Sequence, residues 1–481
     1  MPPPYWHNHN HAIATILHDY SQQGNHQTGS SVDAASAVHL QQEAIHAGAT
    51  GVHLEAFPLH KVSVLSSSVH LQHTNRILQA TPLYDCATYT SNHGIQGILI
   101  HYKDLPTTLH SNPAALVPVV FTGLGQGGGP SDIVQTLRQH QPPYAGIIVV
   151  ADPTQSSCAK HLSYMNASSF AHPFGPPTVQ CLPIDIGALE HAAASQTQRV
   201  TLVAMVSHDR TVAFNVVASV GRSVGGDSVE NSTPQKTQEE KPALQLFCCT
   251  PRSGWGSCAS ERGGGLCGWL SAIYAAAKVE KEHPGSVRAL FLASSGHELD
   301  HLGFKQWVKG SNTTTGSETA VAGAGAGAGA SPCVSQRQQM VANATLCIHL
   351  GANIASKRTH IERGASGGNN PVPIYSQVSN LTTKHLATQY MIEEHKVPLI
   401  HVHVGASPVG EAREFVACGS TKWVSFVGPK NVFFHSKTDQ YDEAIDVESE
   451  QKVALFCNGV ADIVEHVCRS NTISGRRTSK L

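Results

Sequence analysis

The sequence predicts an α/β protein with a mostly parallel, doubly wound sheet. Two observations carry this. From residue 244 onward, apolar runs of strand length alternate with helical segments, the order that puts helices on both faces of a parallel sheet. Several of those runs, Val287–Ala293 among them, also read as strands buried on both sides. Length supports both: 481 residues with 41% hydrophobic content allow two or three domains with real cores.

In chain order, residues 30–57 carry a helical period through Ala34, Val38, Ile45 and Ala49, with Ser31 and Asp33 as caps and a close near Gly48 and Gly51. VHLEAFPLHKVSV then reads as a strand. VPVVFT at 117–122 is an apolar run ending at a glycine cluster, SDIVQTLRQH reads helical, and 145–150 reads as a buried strand. Strands at 200–206 and 211–221 flank a polar hairpin, Ser207–Arg210. Residues 226–243, charged and aperiodic, form an exposed linker. LQLFCCT opens a second α/β region with a small-residue helix, Gly265–Lys278, the strand at 287–293, and a helix over HELDHLGFKQWVKG stopped by Gly310. Residues 309–336, rich in Gly-Ala repeats, form a low-complexity surface insertion that cannot bury a core. Strands in ATLCIHLGANI, VPLIHVHVG and STKWVSFVG then alternate with helices around 382–394 and 408–418, and a last helix covers 446–468.

Composition excludes some functions. Lys+Arg 32 against Asp+Glu 34 leaves a net charge of −2, with no basic run to attract nucleic acid or an anionic membrane. No apolar stretch approaches the ~20 residues that span a bilayer, and the N-terminal segment lacks the pattern of a secretory signal. Twelve cysteines without a C-x-x-C fit a reducing compartment. The chain ends on Ser479-Lys480-Leu481, the address read by the peroxisomal import receptor, so the expected location is the peroxisomal matrix. With His 30, a single histidine says little unless a motif surrounds it.

Two motifs share letters with known sites. Gly123-Leu-Gly125-Gln-Gly127-Gly128, with Asp152 after the next strand, spells a dinucleotide fingerprint, but Gly129-Pro130-Ser131 delay the helix that should open within the glycines. The expectation is a structural glycine turn, with dinucleotide binding a minor alternative. His297-Glu-Leu-Asp-His301 spells H-E-x-x-H, which in zinc proteases lies inside a helix. Here it follows the strand Ala289–Ala293 directly, so His297 and Glu298 are expected at a strand end, where doubly wound sheets keep their chemistry.

The remaining pattern is more specific. Glu261-Arg262 precedes a helix, His297-Glu298 ends a strand, His349 lies in the next strand, and Phe434-His435-Ser436-Lys-Thr-Asp439 comes last. This order resembles the zinc aminopeptidase and glutamate carboxypeptidase family, as do GEAREF at 410–415 and FFHSKTDQYDEAID. The resemblance implies a zinc-aminopeptidase-like domain from 1–111 and 244–481, with a smaller β-rich, protease-associated-like domain inserted at 112–225. It implies zinc, a small peptide or amide substrate, and two metal ions bridged by a carboxylate.

Carried over residue by residue, the bridging acid corresponds to Glu261, the proton-accepting glutamate to His297, its ligand neighbour to Glu298, the next-strand acid to His349 and the final ligand to His435. The family's His-x-Asp is absent: Thr250-Pro251-Arg252-Ser253 stands there. Imidazoles in place of anionic ligands lower the site's negative charge, so a remodelled, one-metal site of Glu261, Glu298, His349 and His435 is implied, with His297 accepting a proton. Arg252, Ser253, Trp255 and Arg262 are the expected pocket wall. The competing reading is a metal-free, catalytically inactive binding or scaffold protein, in which Arg252 and Arg262 pair with Glu261 and Glu298 in the vacated space.

Overall fold

The computed structural model describes residues 9–108, 112–121, 128–150, 162, 164–221, 244–310, 335–357, 372–431 and 433–477. The linker 226–243, residues 311–334 of the low-complexity insertion, Gly123–Gly127, Asp152 and the C-terminal tripeptide lie outside these residues.

Thirteen strands share one sheet system: β1 (Gly51–Leu71), β2 (Arg76–Pro82), β3 (Ile95–His101), β4 (Leu116–Val120), β5 (Ile147–Val150), β6 (Thr178–Cys181), β7 (Arg199–Gly221), β8 (Leu246–Pro251), β9 (Arg288–Ser294), β10 (Leu346–Leu350), β11 (Ile374–Val378), β12 (Leu399–His401) and β13 (Trp423–Val427). Their order is β1-β2-β6-β5-β4-β3-β7-β9-β8-β10-β13-β11-β12, and β1 also pairs with β7. That extra pairing closes the first seven strands into a ring. The open sheet beyond it runs parallel through β9-β8-β10-β13 and β11-β12, with antiparallel joints at β7/β9 and β13/β11.

Alternation along the central strands explains the layers. Leu246 and Cys248 of β8 enter one core with Trp269, Phe291 and Ile348, whereas Phe247 and Cys249 enter the opposite core with Phe304, Trp307 and Phe415. Both faces are covered, so these strands carry apolar residues at every position, as parallel strands do. The helix Ala259–Glu282 lies almost wholly in the first core. The ring has cores of its own, one around Leu99, Val117 and Ile148, another around Val120, Val134 and Ile147. A small cluster of Phe57, Leu59, Tyr84, Trp255 and Leu299 joins the ring to the site end of the sheet.

Three expectations need correction. The polar Ser207–Arg210 stretch makes no hairpin: it lies inside β7, a strand of 23 residues facing β1 along its length. Its polarity marks where this two-stranded ribbon is exposed, and Asp209 stands opposite Lys61 as an oppositely charged cross-strand pair. HELDHLGFKQWVKG is not one helix: a 3₁₀ turn, His297–Leu299, is cut from the helix Leu302–Lys309 by Asp300 and His301, both left-handed at φ 61° and 56°. The helix expected from Gly265 begins six residues earlier, at Ala259, because Asp439 accepts the orphan N–H groups of Ser260 and Glu261 at 2.8 and 2.9 Å. The N-terminal helix His9–Gln22, not foreseen, packs Ile13 and Leu17 into the first core. None of the helices among the described residues is long and apolar enough to cross a membrane.

Candidate active site

The carboxyl ends of β8, β9 and β10 deliver Arg252-Ser253, Ser295 to His301 and Gly351 to one rim of the sheet, where open α/β sheets build sites. The segment 433–436 arrives from the C-terminal side, and residues 164–167 of the ring close over it: Tyr164 N–H donates to His435 O at 2.9 Å and Ala167 N–H to Glu298 O at 2.8 Å. These loops share one rim of the sheet. Their charged side chains, however, sort into separate groups.

The first group is Glu261, Arg262 and His435. Arg262 Nη2 lies 2.7 Å from Glu261 Oε1, and its Nε donates to Ser253 O at 2.7 Å. Burial works against both charges, but each sustains the other: Arg262 holds the Glu261 carboxyl below its ordinary range, and Glu261 raises Arg262. His435, at φ 59°, donates Nδ1–H to Tyr164 O at 2.7 Å, which leaves the Nε2 lone pair 3.6 Å from Glu261 Oε1. Burial pulls His435 to about 4, so the ring is neutral at pH 7.

Glu298 is held elsewhere. Its Oε1 accepts from the N–H of Thr28 at 3.0 Å and from that residue's hydroxyl, and its Oε2 accepts from Ser253 Oγ at 2.8 Å. Burial raises its pKa. Arg252 pairs with Asp33, Nη1 to Oδ1 2.9 Å, and binds the carbonyls of Asp33 and Phe214. Thr250, in the place of a family ligand, donates to Leu350 O at 2.8 Å. Trp255 donates to Asn166 and stacks on Tyr164, ring centroids 5.5 Å apart.

The second group centres on Glu411, which carried no role in the sequence reading although GEAREF drew notice. Its carboxylate lies 2.9 and 3.0 Å from His297 Nδ1 and 3.3 Å from His349 Nε2. Burial alone would raise Glu411, but His297 and then His349 outweigh it, and the carboxyl is held well below its ordinary range. An ionised carboxylate only accepts, so both imidazoles donate to it, and His349 Nδ1 takes the hydroxyl of Ser425 at 2.8 Å. Burial brings His297 down to about 4, leaving the ring neutral. His301 joins from the far side of the turn, its ring centroid 5.2 Å from that of His297 and its Nδ1 2.9 Å from Glu414.

This second group faces a cavity of about 470 Å³ lined by His297, His301, His349, Asp300, Arg413 and Lys430, with Asn166, Ser168 and Phe434 also at its wall. Arg252, Ser253, Trp255 and Arg262, expected to line the pocket, are buried and do not line this cavity. Of the expected metal ligands Glu261, Glu298, His349 and His435, only Glu261 and His435 meet, at 3.6 Å, and Glu261 is already paired with the Arg262 guanidinium. A family-type pair of zinc ions does not fit this arrangement: the bridging position is neutralised by Arg262, the oxygens of Glu298 are taken by Thr28 and Ser253, and Thr250 and Arg252 stand where a ligand pair is needed.

No protein-family model matches the chain, and no relative of curated function does. Solved structures do. An aminopeptidase from Aneurinibacillus sp. strain AM-1 superposes with a TM-score of 0.59 at 11% identity, covering 95% of this chain and 93% of its own. The zinc aminopeptidase of Bacillus subtilis gives a TM-score of 0.62 at 12% identity, with 94% of each chain covered. A peptidase M28 precursor from Shewanella amazonensis gives 0.62 at 12%, covering 95% and 96%. The alignment spans nearly the whole of each chain, so the protein has the zinc-aminopeptidase fold.

Proposed function

We propose that the protein is a hydrolase of amide or peptide bonds in the peroxisomal matrix, working with a remodelled centre in the cavity fronted by His297, His301 and His349. The observation that carries this reading is the buried His297–Glu411–His349 chain at the floor of a 470 Å³ cavity, on the rim where the fold is open to a ligand. A neutral His297 ring oriented by an ionised carboxylate is poised for work on a substrate. Zinc, the metal of the solved Bacillus subtilis protein, serves here as one ion at this cavity and not as a pair beside Glu261. Residues 112–225 are the protease-associated-like module, and residues 479–481 direct import.

The test is turnover of a panel of aminoacyl and N-acyl amides by the zinc-supplemented full chain. His297→Ala and Glu411→Gln should each lower kcat/KM by about 100-fold or more, whether the pair moves a proton or holds the ion. A tagged chain lacking the last three residues should stay in the cytosol; unchanged peroxisomal punctae would refute the address. The Glu261–Arg262 pair favours a second reading, a catalytically inactive binding protein. Thermal stabilisation by peptides without any turnover would decide for it.

A further inference from the structure

We propose that His297, His301 and Glu411 bind one divalent transition-metal ion, displaced from the space beside Glu261 to the wall of the cavity. The inference rests on the reading above that the chemistry has moved to this cavity. Each of the three residues offers one ligand atom, and these atoms lie within 4.8 Å of one another. His297 Nδ1 stands 2.9 and 3.0 Å from the Glu411 oxygens, a spacing that suits a hydrogen bond and equally two neighbouring ligands on an ion held at ~2.1 Å.

Charge supports the assignment. Four other buried carboxylates each meet a guanidinium, Asp33 with Arg252, Asp85 with Arg138, Asp185 with Arg76 and Glu261 with Arg262, while Glu298 and Asp439 are held by hydroxyl and backbone N–H donors. Glu411 is 0% exposed, and its ion-pair partners among the described residues are the imidazoles of His297 and His349, with no lysine or arginine in contact. An anion buried without a cation in contact costs several kcal/mol, and an ion shared with His297 and His301 would offset that cost.

The surroundings are those of a ligand set. His301 reaches the site only because Asp300 and His301 both take left-handed backbone, at φ 61° and 56°, a conformation that L-residues with side chains adopt at a cost. Its Nδ1 is then braced by Glu414 at 2.9 Å, as outer carboxylates orient metal-bound histidines. Two imidazoles and one carboxylate beside open volume match zinc or cobalt chemistry better than magnesium or calcium, which prefer all-oxygen shells. The H-E-x-x-H spelling thus supplies both histidines, but through a turn and with its own glutamate turned away to Thr28.

The chelator-stripped full chain should be titrated with Co(II), reading visible absorption and heat. One equivalent should bind. His301→Ala and Glu411→Gln should weaken binding by about 100-fold or more, while His435→Ala leaves it unchanged. Circular dichroism checks each variant for folding; if Glu411→Gln fails to fold, His301→Ala decides. Folded wild-type protein that takes up no cobalt, or loses it with His435→Ala but keeps it with His301→Ala, overturns the proposal. Turnover separates the two readings: hydrolysis by folded protein that takes up no cobalt refutes this site but not the hydrolase, whereas one bound cobalt without hydrolysis of any substrate refutes the hydrolase but not this site.

Discussion

His26 shows what burial does to one ring in this protein. It is fully enclosed, stacked on Tyr20 at 3.9 Å between centroids, and donates Nε2–H to Tyr20 O at 2.9 Å. Burial depresses it to about 3. The unfolded chain therefore takes up a proton near pH 6.5 that the native protein refuses, and stability falls as pH drops from about 6.5 toward 3 with a slope of up to about 1.4 kcal/mol per unit from this residue. His26→Gln, which retains a donor for Tyr20 O, should remove that slope in urea titrations between pH 7 and pH 5; an unaltered pH dependence would contradict the assignment. Among so many histidines, only those beside chemistry-bearing residues could be singled out from the sequence. His297 was singled out by its motif, and His349 and His435 through the family resemblance. His26 and His301 were not, because one is defined by a stacking partner and the other by a backbone turn.

At the scale of elements, Arg252 acts as a rivet. Placed one residue past β8, it grips the first turn of the helix Ser31–His46 through the carboxylate and carbonyl of Asp33 at 2.9 and 2.8 Å, and the ribbon through Phe214 O at 2.5 Å. Arg252→Ala leaves Asp33 buried without its cation and should cost about 3–5 kcal/mol in denaturant unfolding. Pairing it with Asp33→Asn should recover part of the loss; a single variant as stable as wild type would exclude the rivet. The apolar strands and the strand end before His297 were legible because burial on both faces leaves a continuous apolar signature. The broken helix after Ser295 was not, since two left-handed residues in a row leave no periodic trace, and Asp33 read as a cap while its carboxylate served Arg252.

At the scale of the molecule, β7 belongs to both the ring and the open sheet, pairing with β3 near its start and with β9 near its end. A strand held at both ends cannot leave one body without disturbing the other. Near-ultraviolet and far-ultraviolet circular dichroism should therefore report one coincident unfolding transition; two separated transitions would show the ring and sheet melting independently. The alternation of strands and helices made the fold class readable, but the ring depends on β1 meeting β7 across more than a hundred intervening residues, and no local pattern encodes that meeting. Closure also affects how the protein meets its neighbours in a crowded compartment. Strand ends of the pairing order normally invite foreign chains to dock by backbone hydrogen bonds. Here one end is sealed by its own partner and the other is β12, three residues long, so little template remains on which an aggregate could grow.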